Sequence, residues 1–206
     1  TLTARNAEIS MKALSLGASD YLPKPSANER HEMDRFLYEL MTKVLALAGR
    51  EHTVKPAASP LAAPVIVRST SIVSPVRPYS LRYPSLPPKA LAVASSTGGP
   101  QALNHFFTDL GDALHDIPIF VTQHMPPAFT KILATNIAAA SGRECHEAVQ
   151  DELVVAGRTY VAAGDFHLLL EKQAGTIRVR LDKGDMINFC RPAADPMIRS
   201  LVEIYG

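Results

Sequence analysis

One ten-residue stretch, residues 91–100, constrains the fold of this chain more than any other, and it reads Leu-Ala-Val-Ala-Ser-Ser-Thr-Gly-Gly-Pro. The apolar run 91–94 predicts a short parallel strand that is buried on both faces. Gly98 and Gly99 allow a sharp turn, and Pro100 is typical of the first turn of a helix. Residues 95–97 are therefore expected at the carboxyl end of a strand and beside a helix N-terminus, where open α/β sheets bind ligands.

Three roles are compatible with this Ser-Ser-Thr-Gly-Gly turn. It can simply cap the helix, it can bind a phosphate group at the helix N-terminus, or it can present a nucleophilic serine. The turn alone does not decide among them.

Strand and helix patterns alternate through the rest of the chain, which predicts an α/β fold with a doubly wound, mainly parallel sheet. After the first unit, helical patterns cover residues 100–110, 127–140 and 192–205, and apolar strand patterns cover 117–122 and 159–162. Residues 166–170 and 176–181 flank a turn that contains Gly175, so they are expected to form an antiparallel hairpin.

The second strand ends in Thr-Gln-His-Met-Pro, residues 122–126. A strand–helix–strand unit often places its two parallel strands side by side, about 5 Å apart. Ser96 and His124 are then expected at the same edge of the sheet, within hydrogen-bonding reach, which is the minimum that a serine nucleophile requires. The alternative for His124 is a hydrogen-bonded loop histidine.

The N-terminal part has a different character. Helices are predicted from Ala7 to Leu16, capped by Asn6, and again after Ser26 or Asn28, with Tyr21-Leu22 as a short strand between them. These 48 residues are too few to bury their own apolar faces, so they are interpreted as the tail of a larger α/β domain. Residues 49–88 hold eight of the 16 prolines and predict an extended, mildly basic linker.

Composition excludes several classes of function. The formal net charge is +1, which gives no reason to expect a nucleic-acid surface. No apolar run is long enough to span a membrane, and the N-terminus has no secretory signal pattern. With only Cys145 and Cys190, a reduced, cytoplasmic protein without membrane insertion is expected.

Two groups of motifs resemble one family. Residues 94–100, 122–126 and 189–195 resemble the catalytic domain of the chemotaxis protein-glutamate methylesterases, the CheB family. Residues 14–25, Leu-Ser-Leu-Gly-Ala-Ser-Asp-Tyr-Leu-Pro-Lys-Pro, resemble the end of the receiver domain that precedes the catalytic domain in that family. The resemblance implies a receiver remnant at 1–48, a linker at 49–88 and a truncated methylesterase domain at 89–206.

The resemblance also implies a mechanism. Ser96 falls on the nucleophile of a Ser-His-Asp triad, His124 on its base, and the backbone N–H of Thr97 on the oxyanion hole. Ser95 replaces the alanine that often precedes the nucleophile. The triad aspartate is expected just past Gly206, so the chain is interpreted as a fragment cut at both ends, with little esterase activity of its own.

The family removes methyl groups from glutamate γ-methyl esters of chemoreceptors, deamidates receptor glutamines, and needs no metal or organic cofactor. Its receiver is phosphorylated by the chemotaxis histidine kinase, and Lys24 falls on the lysine that contacts the phosphorylated aspartate. Phosphorylation is expected to relieve a block of the active site by the receiver.

Two weaker predictions concern the rim of the site. Arg191 and Asp195 are expected to form an ion pair, and Gly164, Asp165 and His167 are too few ligands for a metal site. The competing interpretation of the whole chain is a non-catalytic response-regulator binding module, in which the turn holds a phosphate or a partner loop.

Overall fold

A computed structural model of the chain describes residues 2–22, 30–48 and 87–206. Lys24, the candidate caps Ser26 and Asn28, and all but the last two residues of the expected linker lie outside these ranges. None of the helices in the described part combines the length and the apolar character needed to cross a bilayer.

The described chain contains five helices and six strands. In chain order they are α1 (Leu2–Ser15), α2 (Arg30–Ala48), β1 (Leu91–Ser95), α3 (Gly99–Leu110), β2 (Ile119–Gln123), α4 (Phe129–Ser141), β3 (Cys145–Glu147), β4 (Thr159–Val161), β5 (His167–Gln173), β6 (Thr176–Asp182) and α5 (Ala194–Tyr205).

Four strands form a parallel sheet in the order β1-β2-β4-β3. The remaining two, β5 and β6, pair with each other as an antiparallel hairpin in a separate two-stranded sheet. The mainly parallel α/β fold and the hairpin predicted from the sequence are therefore confirmed. The short strand β3 was not predicted.

Two apolar cores lie on opposite faces of the parallel sheet, and neighbouring residues of β2 alternate between them. Ile119 and Val121 belong to the core that contains residues of α3 and α4. Phe120 belongs to the other core, which contains residues of β5, β6 and α5. This layering fixes β2 and thereby the position of the residues that follow it.

The strand β1 differs from the expectation that it is buried on both faces. It is the edge strand of the described four-stranded sheet, and Ala92 and Ala94 are exposed while Leu91, Val93 and Ser95 are half-buried. An apolar run of four residues is common to central and edge strands, so the run predicted the strand but not its place in the sheet.

The N-terminal helices also differ in detail from the predictions. Helix α1 begins at Leu2, so Asn6 lies within it, because the preceding Ala4 and Arg5 are good helix formers. Tyr21 and Leu22 are not part of a strand. Helix α2 has the predicted helical spacing, but its apolar residues Leu37, Met41 and Val44 are about half exposed.

Helix α1 packs on the same core as α3 and α4. Met11 and Leu14 are buried there beside Leu103 and Phe107. The amide of Gln101 donates to the carbonyl oxygens of Leu14 (2.6 Å) and Ala18 (3.0 Å). Helix α1 therefore buries Met11 and Leu14 against the helices that flank the parallel sheet.

Candidate active site at the ends of two parallel strands

The turn after β1 presents a serine to solvent. Ser96 is exposed and Thr97 is half-buried. The carbonyl oxygen of Ser96 accepts a hydrogen bond from the N–H of Gly99 at 2.7 Å, and Gly98 has a φ of 73°, a left-handed conformation that suits glycine. The chain then enters α3 directly, so Ser96 lies beside a helix N-terminus with its partial positive charge.

The turn after β2 presents a histidine at the same edge. His124 is half-buried, and its backbone N–H donates to the carbonyl oxygen of Ser95 at 3.4 Å. The next residue, Met125, is buried in the core, which anchors the chain before Pro126 and Pro127 lead to α4.

The sheet register brings these two turns together. Ser95 and Gln123 are partners at the last position of the parallel β1–β2 pair. Ser96 and His124 are the next residues on each strand, so they leave neighbouring strands at the same carboxyl edge. The predicted juxtaposition of the two turns is therefore present, although 28 positions of sequence separate the serine from the histidine.

A salt bridge near these turns joins the loop that follows β4 to the loop that precedes α5. Arg191 contacts the carboxylate of Asp165 through Nη2 at 2.6 Å and Nε at 3.0 Å, and Lys183 lies 3.2 Å from the same carboxylate. The hydrogen bonds from Arg191, together with Lys183, hold the pKa of Asp165 below its usual value. The loop of Asp165 packs on the His124 turn, because Gly164 lies against the backbone of Pro126 and Pro127.

The expected pair between Arg191 and Asp195 is wrong. Arg191 lies before α5 begins at Ala194, whereas Asp195 lies in the first turn of that helix. The two residues therefore do not share a helical face, despite their i,i+4 spacing. The guanidinium reaches Asp165 instead, and it also donates to the carbonyl oxygen of Gly184 at 2.6 Å.

His167 has a structural role in this loop. It is buried, its Nε2 donates to the carbonyl oxygen of Asp185 at 2.9 Å, and its Nδ1 accepts from the N–H of Ala193 at 3.1 Å. Within residues 2–22, 30–48 and 87–206, no three His, Cys, Asp or Glu residues cluster closely enough to hold a metal ion.

The thiol of Cys145 is a poor candidate for a nucleophile. Burial raises its pKa to about 12, so the thiolate is scarce at neutral pH. A groove of about 1060 Å³ between α1 and the helices α3 and α4 includes neither Ser96 nor His124 in its lining. The candidate site for nucleophilic chemistry is therefore the pair of turns at the sheet edge, rather than Cys145 or this groove.

Sequence reasoning missed one residue of this edge. Gln123, the last residue of β2, is buried and its side-chain amide contacts both turns. A glutamine within an apolar strand pattern was the available signal, because a buried amide needs hydrogen-bond partners. Lys24, the candidate phosphate-contacting residue, lies outside the described residues.

Comparison with known proteins identifies the family. A family model described as CheB methylesterase matches residues 91–206, which include both turns. The chain belongs to the CheB methylesterase family. The family predicted from the sequence is therefore confirmed.

Relatives of the CheB family extend this similarity over the whole chain. It is 41% identical over 211 residues to a protein named protein-glutamate methylesterase/protein-glutamine glutaminase from Rhodopseudomonas palustris strain BisB5, covering 100% of this chain and 55% of the relative. A group 2 operon protein of the same name from Bradyrhizobium diazoefficiens is 42% identical over 222 residues, covering 100% of this chain and 56% of the relative. The chain thus spans little more than half the length of these relatives.

A solved structure agrees with the fold. The crystal structure of the Thermotoga maritima CheB methylesterase catalytic domain is 42% identical and aligns with a TM-score of 0.54, covering 58% of this chain and 63% of the Thermotoga chain.

Proposed function

We propose that this chain carries the nucleophile and the base of a serine hydrolase that removes methyl groups from glutamate γ-methyl esters of chemoreceptors. The observation that carries the proposal is the β1–β2 register, in which Ser96 and His124 follow the last paired residues of neighbouring parallel strands. The names of the relatives give the substrate class, protein-glutamate methyl esters.

In the proposed mechanism, His124 takes the hydroxyl proton of Ser96 as its oxygen attacks the ester carbonyl. The resulting oxyanion accepts a hydrogen bond from the backbone N–H of Thr97, near the positive end of α3. The intermediate collapses as the imidazolium protonates the leaving oxygen, which releases methanol. Water, deprotonated by His124, then cleaves the acyl-enzyme to give the free glutamate and to restore Ser96.

The same steps deamidate a receptor glutamine, with ammonia in place of methanol as the leaving group. The second activity in the relatives' name supports this proposal. The proposed third triad member is an aspartate beyond Gly206 that orients His124. The proposed steps use no metal or organic cofactor.

We further propose that residues 1–48 are the end of a receiver domain, residues 49–88 a linker and residues 89–206 a truncated catalytic domain, in a cytoplasmic protein. The chemotaxis histidine kinase would supply the phosphoryl group, and Lys24 would contact the phosphorylated aspartate. The stacking of Tyr21 on Phe129, with ring centroids 4.4 Å apart, supports control of the site by the receiver. Phe129 lies only five residues after His124 and begins α4.

Replacement of the nucleophile tests the hydrolase proposal. The assay uses the natural full-length protein, because the triad aspartate is expected outside this chain. Ser96→Ala should lower methanol release from methylated receptor by about 10³-fold or more, while receptor binding stays within about twofold. Thr108→Ala is the control, because the exposed hydroxyl of Thr108 bonds only the carbonyl oxygen of Asn104 in its own helix, and it should keep most of the activity. Full activity of Ser96→Ala would contradict the hydrolase proposal and favour the binding module.

A further inference from the structure

A buried amide connects the two turns that carry Ser96 and His124. Gln123 is only 3% exposed, and its Nε2 group donates to the carbonyl oxygen of Ser96 at 3.0 Å and to that of His124 at 3.4 Å. A single side chain therefore holds the backbone of both candidate catalytic residues.

The hydroxyl of Ser95 holds this amide in one orientation. Carbonyl oxygens only accept hydrogen bonds, so the NH₂ end of Gln123 must face Ser96 and His124. The amide oxygen Oε1 then faces Ser95, whose Oγ lies at 2.6 Å and donates to it. Each end of the amide thus has a partner, and a flipped amide would set oxygen against oxygen at the two turns.

Gly99 provides the space that the amide occupies. A Cβ atom at Gly99 would overlap with Oε1 of Gln123 and would lie 2.9 Å from Cβ of Ser95. The second glycine of the turn is therefore required by the close approach of Gln123. The first glycine, Gly98, has open space around it and is favoured by its positive φ instead.

We propose that Gln123 is a positioning residue that fixes the distance between the nucleophile turn and the base turn, with Ser95 as the residue that orients its amide. This inference rests on the proposed hydrolase function. Breaking one of these hydrogen bonds would leave a buried polar group without a partner, which costs more free energy than breaking an exposed hydrogen bond. The amide therefore resists movement of one turn relative to the other. A displacement of about 1 Å between reacting groups can lower a rate about 100-fold.

The test compares Gln123→Met, Ser95→Ala and the unchanged full-length protein. Methionine keeps much of the volume of glutamine but donates no hydrogen bond. A fluorophosphonate probe, which labels reactive serines, counts the competent sites after labelling to completion, and methanol release then gives kcat per labelled site. Gln101→Met is the matched control, because the amide of Gln101 also donates to two carbonyl oxygens, those of Leu14 and Ala18, away from the turns.

For Gln123→Met we expect kcat per labelled site to fall about 10- to 100-fold, with KM within about threefold, because only the alignment of the reacting groups changes. Ser95→Ala should lower kcat per labelled site by a smaller factor, since the Gln123 amide keeps its hydrogen bonds to both carbonyl oxygens. In Gln101→Met, kcat per site should not fall by more than about twofold.

A Gln123→Met protein whose kcat per labelled site stays within twofold would overturn the inference. So would a loss that lies entirely in the number of labelled sites, because that is the signature of a purely stabilising side chain. If Gln123→Met fails to fold, Ser95→Ala replaces it in the test, and an unchanged kcat per labelled site in Ser95→Ala would overturn the inference.

The positioning inference and the hydrolase proposal fail in different ways. Activity that persists in Ser96→Ala contradicts the hydrolase proposal alone. The rate at which the probe labels Ser96 needs no ester substrate, so it tests the effect of Gln123→Met even without methanol release. An equal labelling rate in both proteins would contradict the positioning role.

Discussion

At the scale of single residues, the ion pair of Asp165 contributes stability that depends on pH. The carboxylate is one-third exposed, so its hydrogen bonds with Arg191 are worth less than about 1 kcal/mol at neutral pH. Its pKa in the folded protein lies below that of an unfolded aspartate, about 3.9. The extra stability is therefore present above pH 4 and is lost as the pH falls through the lowered folded pKa.

Asp165→Asn tests this contribution without disturbing the backbone, because asparagine also tolerates the φ of 68° at this position. We expect the variant to have a lower free energy of unfolding at pH 7, and the difference from the unchanged protein should close as the pH falls below 4. Urea unfolding at pH 7, 5 and 3 measures it. The difference should also shrink in an Arg191→Met background, and a difference that is equal at all three pH values would refute the ion-pair explanation.

Other residue-scale features show where sequence reasoning stops. The neighbouring positions of Ser96 and His124 could be predicted because each residue follows an apolar strand pattern, and parallel strands share a carboxyl edge. The contacts of Gln123 could not be predicted, because they involve Ser95 and Gly99, which are more than 20 residues away in sequence and adjacent only in the folded sheet. The partner of Arg191 was missed for the same reason, since Asp165 precedes it by 26 residues.

At the scale of elements, apolar periodicity predicted the strands and helices that bury residues, and it failed where other interactions hold an element. The strand β3 has the sequence Cys-His-Glu, which has no apolar run. Its pairing with β4 and the hydrogen bond between Glu147 and Thr130 hold it in place. The sequence likewise had no signal that the hairpin β5–β6 forms its own sheet, because that depends on which edges are free when the hairpin packs.

The loop between β4 and β5 supplies an element-scale prediction. A Cβ atom at Gly164 would overlap with the backbone nitrogen of Pro127 and lie 2.6 Å from the carbonyl carbon of Pro126. Backbone atoms cannot rotate away, so Gly164→Ala should move the loop off the His124 turn and lower the free energy of unfolding by about 1–3 kcal/mol or more.

Gly98→Ala is the matched comparison for Gly164→Ala. The space around Gly98 is open, and its alanine variant meets only the cost of a left-handed residue, about 1–2 kcal/mol. Urea unfolding of the two variants separates the effects, and Gly164→Ala should also slow probe labelling of the site serine through the displaced loop. If the loop moved at little cost, Gly164→Ala would lower the free energy of unfolding by less than Gly98→Ala does, which would contradict the prediction.

At the scale of the whole molecule, the N-terminal segment and the parallel sheet share one core. The first 48 residues are too few to bury their own apolar faces, and α1 accordingly packs Met11 and Leu14 against α3 and α4. Lys43 connects α2 to the segment that follows α1, since its Nζ lies 3.0 Å from Asp20 and 3.1 Å from the carbonyl oxygen of Tyr21. A change in α1 should therefore alter the stability of the sheet that carries the candidate site.

Leu14→Ala tests this coupling. Leu14 is 2% exposed, so the variant should lower the free energy of unfolding by about 2–5 kcal/mol through lost contacts and a cavity. Leu16→Ala, at a side chain that is 79% exposed, is the control and should change it by less than about 0.5 kcal/mol. Hydrogen exchange at the buried β2 amides locates the effect. If α1 and the sheet share one core, the β2 amides exchange only when that core unfolds as a unit, so they should exchange faster in Leu14→Ala. If α1 were instead an independent unit, β2 would exchange at the same rate in both variants.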